Sequence, residues 1–181
     1  MLEEINKVQE KAVCLVNREQ LDAALDAMAK AITTQLADSN PLILCVINGG
    51  IIATGHLLPR LNFPLTLDSV RASRYGHNTA GSDLHWLYQP TTEMRNRTVL
   101  IVDDILDEGI TLAAIIAWCR DQGADQVYSA VLLDKQIGRE KPVQADFVGL
   151  EIDNHYLYGF GLDYKTYLRN ANGIYACKDE S

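Results

Sequence analysis

The spacing of apolar residues predicts a chain of alternating helices and strands. Within residues 18–37, apolar positions recur at helical spacing, for example at Leu21, Leu25 and Met28. Residues 42–47 form a short, continuously apolar run, which is typical of a buried parallel strand. Along the whole chain, these patterns predict helices at residues 2–16, 18–37, 51–61 and 111–123. They predict strands at residues 42–47, 64–73, 83–88, 98–104 and 127–135, with weaker candidates at 146–152, 156–158 and 174–177.

The order of these elements predicts an α/β fold with a mainly parallel central sheet flanked by helices, because helices connect successive apolar strands. The length of 181 residues fits a single domain, residues 1–181. We expect a core over about residues 38–150 and a small hood formed by about residues 151–181 and part of the N-terminus. Ligands of such sheets bind beyond the carboxyl ends of the strands. The loops that follow residues 47, 103 and 134 should therefore converge on one site.

Charge and composition narrow the function classes. The formal net charge of −8 argues against nucleic acid as the main partner, because that binding relies on Lys and Arg. No apolar run reaches the roughly 18–20 residues of a membrane span. The first residues also lack the basic start and apolar core of a secretion signal. We therefore expect a cytoplasmic protein with no membrane partner, in which Cys45 and Cys119 are small buried hydrophobic residues.

The acidic end of the strand at residues 98–104 is the main candidate site. Asp103 and Asp104 close this apolar strand, and residues 107–111 then open a helix. Backbone N–H groups at a helix start can surround a phosphate, and Gly109 permits the tight turn this requires. Thr111 can add a hydroxyl donor and cap the helix. The two adjacent acids can accept hydrogen bonds from sugar hydroxyls or orient waters on a magnesium ion.

The segment VLIVDDILDEGITL (99–112) resembles the phosphoribosyl-diphosphate motif of type I phosphoribosyltransferases. Four further segments resemble the hypoxanthine-guanine branch of that family, in the family's order. They are the pyrophosphate loop LCVINGG (44–50), the mobile loop ASRYG (72–76), the base-contacting strand LLDK (132–135) and the purine-binding hood YLYGFGLDYKTYLR (156–169). The resemblance spans residues 42–169, about seven-tenths of the chain. It implies the type I phosphoribosyltransferase fold.

The resemblance also implies a role for each matching residue. The ribose hydroxyls would contact Asp103 and Asp104, and Asp107 would be the catalytic general acid/base near purine N7. The remaining roles follow the same motifs. The 5′-phosphate would lie on Asp107, Glu108, Gly109, Ile110 and Thr111. The pyrophosphate would contact Asn48, Gly49, Arg74, Tyr75 and Arg169. The purine would contact Lys135, Tyr156 and Leu157. Mg²⁺ would be held by Asp163, with Asp103 and Asp104 acting through water.

Three positions depart from the family pattern. Asn48 occupies a position where the family usually has Lys or Arg, so the pyrophosphate loop would bind its anion through backbone N–H groups. Arg74 replaces the usual Ser, and we expect it to supply the missing cation. Glu108 replaces a small Ser or Thr in the phosphate turn. Its carboxylate must therefore point away from the phosphate.

These features predict a purine salvage enzyme that uses Mg²⁺ and 5-phosphoribosyl 1-diphosphate (PRPP). The enzyme would convert hypoxanthine or guanine into IMP or GMP and pyrophosphate, because the ammonium of Lys135 suits a 6-oxo acceptor. Two alternatives stay open: a non-catalytic regulator that senses the diphosphate, and a phosphoribosyltransferase that prefers xanthine. A receiver domain fits poorly, because too little of the chain follows Asp104 for that module. The resemblance further implies a homo-oligomer, either a dimer or a tetramer.

Overall fold

The computed structural model describes residues 1–74 and 84–178, and the side chains of residues 1–72 and 85–178. Its helices are α1 (Leu2–Lys11), α2 (Arg18–Leu36), α3 (Gly50–Leu57) and α4 (Ile110–Asp121), with a 3₁₀ turn at Leu58–Arg60. Its strands are β1 (Val13–Val16), β2 (Leu42–Val46), β3 (Thr66–Arg74), β4 (Leu84–Tyr88), β5 (Thr98–Leu106), β6 (Gln126–Gln136), β7 (Phe147–Asp153), β8 (Leu157–Tyr158) and β9 (Ile174–Ala176).

The central sheet has six strands in the order β4-β3-β2-β5-β6-β7. All neighbouring strands are parallel except β4, which runs antiparallel to β3. Strand β5 lies in the middle, where Val99 pairs with Leu42 on one side and Val127 on the other. This arrangement confirms the predicted α/β fold with a mainly parallel sheet. It also places the carboxyl ends of β2, β5 and β6 side by side.

Helices cover both faces of the sheet. Helix α2 begins with a capping box in which Asn17 and Gln20 each accept a hydrogen bond from the other's backbone N–H. Its predicted apolar face is buried and packs with α3 residues on one side of the sheet. Helix α4 covers the opposite side. It ends before Gly123, whose φ of +86° is the left-handed conformation expected after a helix C-terminus.

The predicted helix over residues 2–16 is wrong beyond Lys11. Ala12 is extended, and Val13–Val16 form β1, which pairs antiparallel with β9. The strand forms because it pairs with β9, which lies near the other end of the sequence. Local spacing of apolar residues does not reveal such a distant partner. With β8, these strands make a separate three-stranded sheet from both chain ends. This sheet is the small hood that the sequence predicted.

The other predicted helices and strands agree with the described residues to within a few positions at each end. The helix predicted at residues 51–61 ends at Leu57 and continues as the 3₁₀ turn that contains Pro59. Cys45 and Cys119 are buried, and burial raises the pKa of the Cys119 thiol to about 12. Residues 75–83, which lie between the third and fourth strands and include part of the segment ASRYG (72–76), are outside the described residues. Within the described part of the chain, no helix is both long and apolar enough to span a membrane.

Candidate functional site

The acidic pair Asp103–Asp104 lies inside β5, just past the end of β2. The last register pair between β2 and β5 joins Cys45 to Val102. The acidic pair therefore lies beyond the end of β2, where β5 continues beside β6. The backbone N–H of Asp104 donates to Asp103 Oδ1 at 2.9 Å. Burial raises the pKa of both carboxyls, and the neighbouring charge of Asp104 raises the pKa of Asp103 further, well above 3.8. A ligand that brings hydroxyl donors or a cation to this pair would offset that cost.

Two glycines pack against Asp104 and join three parts of the fold. A Cβ atom at Gly49, which follows β2, would overlap the Asp104 carboxylate. Gly161 has a φ of +113°, and a Cβ atom there would overlap the Gly49 carbonyl oxygen. We call Gly49, Asp104 and Gly161 the glycine corner. The corner brings the loop after β2, the end of β5 and the hood region into direct contact.

Arg169 and Asp163 form an ion pair beside the glycine corner. Arg169 Nη2 lies 2.5 Å from Asp163 Oδ1, and Arg169 Nη1 donates to the Gly161 carbonyl at 2.6 Å. The positive charge of Arg169 also opposes the rise in the pKa of Asp104 that burial causes. The predicted pyrophosphate-binding arginine and the predicted metal-binding aspartate therefore lie together, next to the acidic pair.

The turn over residues 107–111, called the acidic turn below, lines a cavity of about 340 Å³ together with the acidic pair. Gly109 has a φ of +80° and is the N-cap of α4. The prediction that Thr111 caps the helix is wrong, because Thr111 is the second residue of α4 and the N-cap is Gly109, which has no side chain to accept a hydrogen bond. The first N–H groups of α4 are therefore not satisfied by an N-cap side chain, and they suit an anion.

Glu108, the unusual acid of this turn, is paired with a cation from another loop. Its Oε1 accepts a hydrogen bond from Arg139 Nη2, in the connection between β6 and β7. Both side chains are partly exposed. The guanidinium thus balances the negative charge that replaces a hydroxyl in this turn.

Lys135 and Asp107 extend from the ends of neighbouring strands and meet. Lys135 Nζ donates to Asp107 Oδ2 at 3.2 Å, and the lysine side chain is 13% exposed. β5 and β6 remain paired up to Leu106 and Asp134, the residues immediately before them. A cation and a carboxylate are therefore held together at the first residue of the acidic turn.

The aromatic residues of the hood divide into exposed and buried positions. Tyr156 is 53% exposed and packs edge-on against Tyr164, with ring centroids 5.7 Å apart. Leu157 is buried in β8. Tyr158 and Phe160 are each 2% exposed and belong to the hydrophobic core. Of these aromatic rings, that of Tyr156 has the largest exposed fraction.

Other predicted positions are described in part. Asn48 is exposed after β2, and the Ile47–Asn48 peptide bond is cis. Arg74 is the last residue of β3, and its side chain lies outside the described residues, as does all of Tyr75. Among the residues that are described, no group of three or more His, Cys, Asp and Glu is arranged to hold a metal.

The sequence of this chain is similar to those of a known protein family. The sequence profile of the phosphoribosyl transferase domain matches residues 16–165. The chain belongs to the phosphoribosyl transferase domain family. Within this family it is 30% identical to the hypoxanthine-guanine phosphoribosyltransferase of Bacillus subtilis (strain 168), covering 86% of this chain and 87% of that protein.

Solved structures support the same family assignment. Hypoxanthine phosphoribosyltransferase of Trypanosoma cruzi, in complex with IMP, superposes with a TM-score of 0.86 at 29% identity, covering 94% of this chain and 97% of that one. A hypoxanthine-guanine-xanthine phosphoribosyltransferase gives 0.85 at 26% identity, with 94% and 99% covered. The two proteins differ in the purines that their names include, so the fold alone does not rank the purines.

Sequence reasoning missed three residues of this phosphoribosyl transferase domain that contact the site. Gly161 lies within the segment YLYGFGLDYKTYLR (156–169), in which nothing predicts its contact with Gly49. Arg139 and Lys141 lie in an irregular connection after β6, where each resembles an ordinary surface cation. Glu108 precedes Arg139 by 31 residues, whereas Asp134 precedes Lys141 by only seven. No local pattern predicts either pair.

Proposed function

We propose that this phosphoribosyl transferase domain is a purine salvage enzyme. It transfers the 5-phosphoribosyl group of PRPP to N9 of hypoxanthine or guanine, and it forms IMP or GMP and pyrophosphate. The observation that carries this proposal is the contact between Lys135 Nζ and Asp107 Oδ2, which lie 3.2 Å apart at the start of the acidic turn. This contact offers a donor for a 6-oxo group beside a carboxylate for a purine nitrogen. The names of the similar proteins support the same activity.

The sugar and its 5′-phosphate would occupy the cavity along β5. Backbone N–H groups of the acidic turn, with the dipole of α4, would bind the phosphate, while Glu108 stays paired with Arg139. The carboxylates of Asp103 and Asp104 would accept hydrogen bonds from the ribose hydroxyls. Those bonds favour the charged carboxylates and offset the cost of burying them.

The residues near the glycine corner fit a magnesium ion bound with the diphosphate. Mg²⁺ is usually held by one or two carboxylates, several waters and substrate phosphates. The Asp163 carboxylate is partly exposed beside Arg169 and would hold the ion, and the oxygen atoms of Asp103 and Asp104 would contact it through water. When bound, the ion supplies positive charge that stabilises the leaving pyrophosphate. Arg169 and the backbone of Asn48 and Gly49 would bind the same group.

Transfer begins as the bond between C1′ and the diphosphate oxygen weakens and the ribose gains oxocarbenium character. Purine N9 attacks C1′ from the opposite face, and pyrophosphate leaves. Asp107 accepts or stabilises a proton on the purine, and Lys135 donates to its 6-oxo group. Tyr156 stacks on the ring, and the backbone of Leu157 contacts its 2-position.

A competition assay tests the purine assignment. Purified protein receives PRPP, Mg²⁺ and equal amounts of hypoxanthine, guanine, xanthine and adenine, and the nucleotides are separated by chromatography. We expect hypoxanthine and guanine to be consumed and adenine to remain, because a 6-amino group would leave the Lys135 charge unpaired. Preferential use of xanthine would support the open alternative. Preferential use of adenine would contradict the role of Lys135.

The family resemblance also supports a dimer or tetramer that acts in the cytoplasm, and we include both in the proposal. Analytical ultracentrifugation of the purified protein tests the first, and fractionation of the source cells tests the second. A monomer at all concentrations would contradict the proposed oligomer.

A further inference from the structure

A lysine in the connection between β6 and β7 joins the ends of two central strands. Lys141 Nζ donates to the Leu106 carbonyl at 2.7 Å and to Asp134 Oδ1 at 2.5 Å. Leu106 and Asp134 are themselves register partners at the ends of β5 and β6. We call these three residues the lysine bridge.

The lysine bridge is more enclosed than a surface ion pair. The Lys141 side chain is 11% exposed and that of Asp134 is 24% exposed. By contrast, the Arg95–Glu93 pair is 3.9 Å apart, and its side chains are 73% and 83% exposed. A charged hydrogen bond held in such an enclosed position is stronger and better fixed than one in water. The bridge is therefore suited to fixing geometry.

What the bridge fixes is the pair used in the proposed reaction. Leu106 immediately precedes Asp107, and Asp134 immediately precedes Lys135. The lysine bridge thus holds the main chain before one member of the 3.2 Å contact and the side chain before the other. An ideal Cβ atom built on Gly109 would lie 3.4 Å from Lys141 Cβ, so the same lysine also packs near the acidic turn.

We propose that Lys141 is a positioning residue for transfer to the purine. It keeps the two strand ends that carry Asp107 and Lys135 in the arrangement that purine binding and proton transfer require. This inference rests on the proposed function, since it assigns Lys141 a part in that same reaction. Lys141 acts through Leu106 and Asp134 and contacts no reacting atom.

The test compares Lys141→Met with Lys30→Met, a matched change of an exposed lysine on α2. We expect kcat/KM for hypoxanthine to fall about tenfold in Lys141→Met, with a raised KM for hypoxanthine, because small misplacements of reacting groups are costly. Lys30→Met should match the wild type. Lys141→Arg should recover most of the loss, because its guanidinium can donate to both partners. Thermal unfolding of every variant shows whether the assay compares folded proteins.

A double variant separates positioning from simple charge balance. Asp134→Asn with Lys141→Met removes the uncompensated carboxylate but leaves the Leu106 carbonyl without its donor. We expect its kcat/KM to stay low, and full recovery would overturn the inference. Wild-type values in a folded Lys141→Met would also overturn it. If Lys141→Met does not fold, Lys141→Gln provides the same comparison with a neutral donor. A wild type that forms no IMP would contradict the proposed function instead.

Discussion

In the proposed reaction, Asp107 and Lys135 both bind one polar edge of the purine. Asp107 is exposed at the start of the acidic turn, and Lys135 is mostly enclosed by the end of β6. The two side chains form a hydrogen bond with each other at 3.2 Å. A purine that enters between them would exchange this contact for one hydrogen bond to each.

Asp107→Asn tests the proton-transfer role. The amide keeps the size of the side chain and can still contact Lys135 through its oxygen, but it cannot accept a proton. We expect kcat to fall by about 10²–10⁴-fold, the usual contribution of general acid/base catalysis, with little change in the KM for PRPP. Steady-state kinetics with hypoxanthine measures both values. An unchanged kcat would remove Asp107 from the mechanism.

The pair of Glu108 and Arg139 gives a second prediction at this scale. Arg139→Ala removes the guanidinium that pairs with the Glu108 carboxylate, so repulsion of the phosphate should increase and the KM for PRPP should rise about twofold to fivefold, as suits a partly exposed pair. Glu108→Gln in the same protein should restore the wild-type KM, because it removes the repelling charge. A double variant no better than Arg139→Ala alone would show that Arg139 contacts PRPP directly.

Single residues were predictable where chemistry and position coincide in the sequence. Asp103, Asp107 and Lys135 each end or follow an apolar strand, and the parallel fold brings such strand ends together. Arg139 and Lys141 were not predictable, because their partners lie across a loop whose path depends on tertiary packing. The helix cap assigned to Thr111 was wrong because α4 begins at Ile110, with Gly109 as its N-cap.

At the scale of elements, the glycine corner ties the loop after β2 and the hood region to β5. Gly49 and Gly161 leave room for the Asp104 carboxylate and for a close main-chain contact. The lysine bridge performs a comparable task between β5 and β6. The loops at the strand ends are therefore attached to one another as well as to the sheet.

Two glycine substitutions distinguish the close contact between Gly49 and Asp104 from the general effect of glycine on helix stability. Gly49→Ala places a methyl group in the Asp104 carboxylate, so we expect the KM for PRPP to rise at least about tenfold, because the loop must move. Gly55→Ala is the control, since a Cβ there meets nothing within 4 Å in α3. It should leave the kinetics unchanged and raise the free energy of unfolding by about 1 kcal/mol. Equal kinetics for both variants would contradict the role of the corner.

Local sequence patterns predicted the strands of the central sheet and the helices that cover it, whereas they predicted the hood only in part. Continuous apolar runs predicted β2, β5 and β6 because strands buried on both faces leave no polar positions. The N-terminal segment was different, since Val13–Val16 form a strand by pairing with Ile174–Ala176. Such a distant partner outweighs the local preference for a helix.

At the scale of the whole molecule, the charged acidic pair lowers the stability of the folded state, because burial disfavours the ionised carboxylates. Burial raises the pKa of Asp103 above its ordinary value of 3.8, so the folded state binds more protons than the unfolded state above that value. The contribution of Asp103 to stability is therefore present at low pH and is lost as the pH rises through its folded pKa. Functional sites commonly show this conflict between stability and activity.

Asp103→Asn tests this conflict through the pH dependence of unfolding. The variant should be more stable than the wild type at neutral pH, and the difference should shrink as the pH falls towards 3.8. Denaturant unfolding at several pH values measures it, and Asp38→Asn serves as an exposed control. A difference that does not vary with pH would contradict the cost assigned to the buried charge.

The most direct test of the central claim combines binding and turnover in one sample. Purified wild-type protein is first titrated with PRPP and Mg²⁺ by calorimetry, and hypoxanthine is then added while IMP and pyrophosphate are quantified. A catalytic 6-oxopurine site predicts PRPP binding followed by repeated turnover, with IMP and pyrophosphate formed in equal amounts. PRPP binding without any IMP from hypoxanthine or GMP from guanine would contradict it and would indicate a regulator that senses the diphosphate.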